Sequence, residues 1–134
     1  MALIGNGVLT VLFKGWWARL RPEHQEGLTL VSGYSFPSGH ASASAACYLW
    51  LACLAAWLLP RRWRLVGALV ACLTGWSVAF SRLVLNVHFA SDVAAGLLVG
   101  SACAAASLLA VHSLMRWRQT LPRAQFRPTL SHGT

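Results

Sequence analysis

Lys14, Arg21, Arg82, His40, His88 and Asp92 are the residues best suited to chemistry in a chain with very few charges. Three fixed cations with no acidic cluster to balance them describe a site for a multiply charged anion. Phosphate fits, because an arginine fork matches two of its oxygens at once. The tetrapeptide Pro37-Ser38-Gly39-His40 runs straight into an apolar stretch and reads as a turn opening a helix. Exposed N–H groups and the helix dipole favour an anion there, and Gly39 allows close approach of the backbone. His88 and Asp92 are four residues apart at the start of another apolar stretch, so they share a helix face. A carboxylate bonded to one imidazole nitrogen fixes the tautomer and leaves the other nitrogen free to attack. Asp92 borders lipid-compatible sequence, where an unpaired charge is costly, and His88 is its nearest candidate partner.

The elements that position these groups must lie in a membrane. The chain has 134 residues, room for one domain, and is 57% hydrophobic with only 10% charged residues. A water-soluble domain of this size carries about 25% charged residues. The net charge of +8 could suggest nucleic acid. The basic residues, however, cluster between apolar runs, as in Arg61-Arg62-Trp63-Arg64 and Arg116-Trp117-Arg118, and form no long stripe or aromatic-interleaved groove. They read as charges flanking membrane spans, so no nucleic-acid partner is expected. Cys47, Cys53, Cys72 and Cys103 all sit in apolar runs and read as small apolar residues, giving neither a disulfide frame nor a metal site.

Residues 41–59, 65–80 and 93–115 are apolar over nearly the length a bilayer demands, about 20 residues, and read as helices, the element that satisfies its own backbone in lipid. Residues 2–13 are apolar but too short to span. They lack a signal peptide's charged start and cleavage site, and resemble the last turns of a helix whose beginning is missing. Residues 20–35 read as a polar loop. The expected organisation is an all-α transmembrane bundle over residues 1–118, with three full spans and a partial N-terminal helix, then a disordered basic tail over 119–134.

If the helices cross alternately, Arg61–Arg64 and Arg116–Arg118 share one side, which positive-inside bias assigns to the cytoplasm. Lys14, Arg21, Ser38, Gly39, His40, Arg82, His88 and Asp92 then converge on the opposite, outer face. Trp16, Trp17, Trp63 and Trp117 lie near proposed helix ends and read as interfacial belt residues. Trp50, Trp57 and Trp76 read as packing or lipid-facing groups. Arg19, Arg123 and Arg127 read as solvated charges, and His24, His112 and His132 as bystanders.

These residues resemble three motifs of the type 2 phosphatidic acid phosphatase superfamily: K-x6-R-P, P-S-G-H and S-R-x5-H-x3-D. Here they read Lys14 to Arg21-Pro22, Pro37-Ser38-Gly39-His40, and Ser81-Arg82 to His88 and Asp92, with every fixed position matched in order. The resemblance implies a membrane lipid phosphatase needing no cofactor or metal. It implies that His88 attacks phosphorus to form a phosphohistidine and that Asp92 orients it. His40 would protonate the leaving oxygen and then activate water. Lys14, Arg21, Ser38, Gly39 and Arg82 would hold the phosphate oxygens. Implied substrates are phosphatidic acid, phosphatidylglycerophosphate or a polyprenyl diphosphate. The implied location is a bacterial inner membrane with the site on its outer face. Membrane members have six helices, so the first ones are expected to be missing here, and self-association or pairing with upstream helices would complete the bundle. Two competing readings are a truncated, catalytically idle membrane fragment and a relative of the vanadium haloperoxidases, whose vanadate pocket resembles this phosphate site.

Overall fold

The computed structural model describes residues 2–22 and 33–120. The central part of the expected loop and residues 121–134 of the expected disordered tail lie outside them, as do His24, Arg123, Arg127 and His132, whereas Gln119 and Thr120, expected to open that tail, continue the last helix. The described residues form four helices: α1 (Ala2–Trp17), α2 (Gly39–Leu58), α3 (Arg61–Val84) and α4 (Ala90–Thr120). Among the described residues there is no strand. Helices α2, α3 and α4 are each long and apolar enough to cross a membrane. α1 has 16 residues, about 24 Å at 1.5 Å per residue, against about 30 Å of hydrocarbon. It is therefore shorter than the hydrocarbon core, and it carries Lys14 inside its last turn.

The helices also run further than the apolar stretches. α3 takes in Arg61–Arg64 and continues past Phe80, and α4 continues through Arg116 and Arg118. Charges mark where a chain leaves hydrocarbon, whereas a helix ends where its hydrogen-bonded backbone stops.

Small residues bring the helices together. α2 packs against both α3 and α4, and the buried cluster joins Ala41, Ala79 and Val93. Gly96 and Gly100 form a G-x-x-x-G pair on α4. A Cβ on Gly96 would stand 2.5 Å from the Ser38 carbonyl oxygen, and one on Gly100 would stand 2.1 Å from that of Ser42. Only glycine permits this backbone contact, the means by which helices associate in lipid without a hydrophobic driving force. On the other side of α2, the Ser42 hydroxyl bonds the Asn6 side chain of α1, a buried polar link between the two helices. Trp50 Nε1 donates to Ser107 Oγ at 2.6 Å further down α2 and α4, so Trp50 is a packing group. Trp57 and Trp76 point outward, as do Trp16, Trp17, Trp63 and Trp117.

Candidate active site

Lys14, Arg21, Gly39, His40, Ala43, Arg82, Val87 and His88 line one cavity of about 390 Å³. They come from the C-terminal ends of α1 and α3, the N-terminal end of α2, and the segments after α1 and before α4. The four helices therefore alternate in direction, and the residues selected from the sequence meet at one end of the bundle.

Each wall has a local cause. α1 stops at Ala18, which takes a left-handed conformation at φ 44° and turns the chain sideways. The next residues are then fastened. The Ser35 N–H donates to the Arg19 carbonyl at 2.8 Å, and the Ser35 hydroxyl reaches the Leu20 carbonyl at 2.9 Å. Trp17 packs on Phe36 with ring centroids 5.1 Å apart. Lys14 donates to the Tyr34 carbonyl. Arg21 Nε donates to the Gly33 carbonyl at 3.0 Å, while its NH1 reaches the Val87 carbonyl at 3.0 Å and His88 Nε2 at 3.2 Å. Arg82 is steadied by the Ser81 hydroxyl at 3.1 Å.

Ser38 and Gly39 are placed differently from each other. Ser38 is fully buried and caps α2, its hydroxyl accepting from the Ala41 N–H at 3.4 Å. Its own N–H donates to the Asp92 carbonyl at 2.9 Å, so it joins α2 to α4 and is not among the cavity-lining residues. Gly39 does line the cavity, and a Cβ there would stand 3.5 Å from the Thr10 methyl of α1, so the turn sits close against α1.

His88 and Asp92 are buried, at 5% and 0% exposure. His88 Nδ1 faces Asp92 Oδ2 at 3.6 Å, beyond hydrogen-bonding distance, a separation common where a catalytic pair tightens only around substrate. Asp92 Oδ2 accepts the Phe89 N–H at 3.0 Å, a third-position carboxylate reaching back to the residue that opens α4. Its Oδ1 accepts from Arg19 NH1 at 2.9 Å. The expectation that Arg19 is a solvated charge is thus corrected. Its side chain keeps 38% exposure, but the guanidinium pairs with a buried carboxylate and lies 4.2 Å over the Phe89 ring. The physical reason is that a fully buried carboxylate demands a whole opposite charge, and a neutral imidazole supplies none.

Burial holds the His88 imidazole down to a pKa of about 4, with Arg21 and Lys14 adding to the shift and Asp92 opposing it. His88 is therefore neutral near pH 7, with a lone pair available. The site combines a buried neutral imidazole backed by a carboxylate, a second imidazole, and three cations around one space. It can bind a tetrahedral dianion and present a nitrogen nucleophile to it.

The family model described as the PAP2 superfamily matches residues 1–116. The chain belongs to the PAP2 superfamily. It is 33% identical over 95 residues to phosphatidylglycerophosphatase B of Bacillus subtilis (strain 168), covering 69% of this chain and 46% of that protein. It is 36% identical over 101 residues to an uncharacterized 22.5 kDa protein in the cps region of Klebsiella pneumoniae, covering 72% of this chain and 42% of that one. Among solved structures it resembles the transmembrane PAP2 type phosphatidylglycerolphosphate phosphatase from Bacillus subtilis. The TM-score is 0.73 at 26% identity, over 94% of this chain and 59% of that chain. The chain thus spans about half the length of these relatives. With three apolar spans and a transmembrane PAP2 neighbour, it is an integral membrane protein.

Proposed function

We propose that this PAP2 chain is a lipid phosphatase that hydrolyses a phosphomonoester or diphosphate through a phosphohistidine on His88. The observation that carries this reading is the single cavity lined by Lys14, Arg21, Arg82, His40 and His88. The three cations hold the phosphate oxygens and spread the charge of the transition state, the largest task in phosphoryl transfer. Gly39 brings the N-terminus of α2 to the cavity wall, and Ser38 caps that terminus. His88 Nε2 attacks phosphorus in line. The P–O bond to the lipid alcohol breaks, and protonated His40 gives its proton to the departing oxygen. Neutral His40 then takes a proton from water, the new hydroxide oxygen bonds phosphorus, and the P–N bond breaks to release phosphate. Asp92 stabilises the imidazolium that forms on His88.

The reaction needs no metal in this scheme, because side-chain cations do the work a metal would do. The relatives make phosphatidylglycerophosphate the first substrate to try, with phosphatidic acid and a polyprenyl diphosphate beside it. The site belongs on the outer face of a bacterial inner membrane, since Arg61, Arg62, Arg64, Arg116 and Arg118 lie towards the other end of the bundle. Phosphate release from these three lipids in detergent micelles, with and without excess EDTA, tests the reading. Turnover that survives chelation and is blocked by vanadate is expected. Turnover lost on chelation and restored by magnesium would overturn the metal-free scheme, and no release from any of the lipids would overturn the activity.

A further inference from the structure

Arg19 is the charged side chain near the site that the phosphate scheme leaves without a task. It is not among the residues that line the cavity, yet it makes the ionic contact to buried Asp92. Its NH1 lies 2.9 Å from Asp92 Oδ1 and 2.7 Å from Ser91 Oγ, and its guanidinium stacks over Phe89. Its backbone carbonyl is gripped by both the N–H and the hydroxyl of Ser35, two residues before Pro37. One residue thus ties the segment after α1 to the approach to α2 and to the first turn of α4.

A buried ionised carboxylate is tolerable only with a full counter-charge and with its lone pairs used. Arg19 supplies the charge at Oδ1, while the Phe89 N–H takes Oδ2 from another direction. With both oxygens held, the carboxylate plane cannot rotate, and Oδ2 stays turned towards His88 Nδ1. We propose that Arg19 is a positioning residue for phosphoryl transfer, acting through Asp92 to keep His88 oriented for attack. This rests on the nucleophilic role of His88 proposed above.

The test is a double-mutant cycle on the full chain in detergent, with phosphatidic acid and phosphatidylglycerophosphate as probes. Arg19→Ala is expected to lower kcat about 10- to 100-fold, the cost of a slightly misplaced reacting group. KM is expected to stay within about threefold, because uniform substrate binding is untouched. Arg19→Lys, which keeps the charge without the fork, recovers part of the loss. In an Asp92→Asn background, removing Arg19 is expected to cost less than about twofold more, the mark of two residues acting as one unit. The acid limb of kcat/KM also moves to higher pH in Arg19→Ala, since a less compensated Asp92 favours the His88 imidazolium. The other charged or titratable groups around it, Lys14 on α1, Arg21 after it, His40 on α2 and Arg82 on α3, are unchanged. Independent, multiplying losses in the cycle, or a loss confined to KM, would overturn the proposal. If Arg19→Ala does not fold, Arg19→Gln, which removes the charge but keeps most of the side chain, carries the same cycle and pH profile. A wild-type chain inactive on both lipids would sink the phosphatase reading itself, whereas an active one with unaltered kcat and pH limb in Arg19→Ala would sink only the positioning role.

Discussion

NH1 of Arg21 lies 3.2 Å from Nε2 of His88 and donates to it. The neutral imidazole therefore carries its hydrogen on Nδ1, facing Asp92, and keeps its lone pair at Nε2, on the cavity side. In the proposed scheme a bound phosphate would draw Arg21 away from that lone pair, making substrate binding and exposure of the proposed nucleophile one event.

The pH dependence follows from the same contact. Burial, Arg21 and Lys14 hold His88 near 4, whereas a free histidine titrates near 6.5. The acid limb of kcat/KM is expected well below 6.5, and Arg21→Ala should move it upward while raising KM. The folded pKa lies below the unfolded one, so the contribution of neutral His88 to stability is complete above 6.5. It is lost as pH falls from 6.5 through 4. Melting in detergent across that window checks the sign, and a melting temperature that rises on acidification would contradict it.

His88→Ala is expected to lower phosphate release by about 10³-fold or more, as when a nucleophile is removed from a unit that works together. Quenched reactions of the wild type should contain an acid-labile, base-stable phosphoprotein that is missing from this variant. Asp92→Asn should fold yet lose about 10²- to 10⁴-fold in kcat, because the imidazolium loses its charged partner. Substantial turnover by His88→Ala would sink the covalent mechanism.

The orientation in the membrane can be read by labelling. In a background with Cys47, Cys53, Cys72 and Cys103 replaced by alanine, Tyr34→Cys lies on an exposed residue beside the cavity and Arg62→Cys at the other end. An impermeant thiol reagent is expected to reach the first in intact cells and the second only after permeabilisation. The reverse pattern would overturn the charge-based orientation.

Tight helix contact makes a further test. Gly96→Ala places a methyl 2.5 Å from the Ser38 carbonyl oxygen and 3.1 Å from the Ala41 Cβ, so the helices must separate. Overpacking of this kind is expected to cost about 1–3 kcal/mol and to lower activity with it. Gly5→Ala, on an open face of α1, is the control and should melt like the wild type.

Residue types and spacing made most of the site legible. Lys14, Arg21, Gly39, His40, Arg82 and His88 do meet around one cavity, because each is tied to a helix end and helix ends alternate across a bilayer. What stayed hidden was pairing over long separations. Arg19 and Asp92 are 73 positions apart, and no local period announces such a contact. Ser38 reads from the sequence as a phosphate ligand; its hydroxyl accepts the Ala41 N–H in capping α2, a use that the spacing does not announce and that leaves its O–H free to donate. Gly96 and Gly100 are two small residues among many in the sequence, and the backbone approach they allow is visible only once α2 lies against α4.

That approach bears on how the protein meets membranes of different thickness. Helices answer hydrophobic mismatch by tilting. With the Ser38 and Ser42 carbonyls seated on Gly96 and Gly100, α2 and α4 tilt as one body, carrying His40 and the His88–Asp92 pair together. The short α1 is joined to that body by Asn6 and Ser42, so Lys14 would travel with the two histidines when the bundle tilts. A change of bilayer thickness would then reorient the proposed phosphate site as a unit while leaving the distance between its two histidines unchanged.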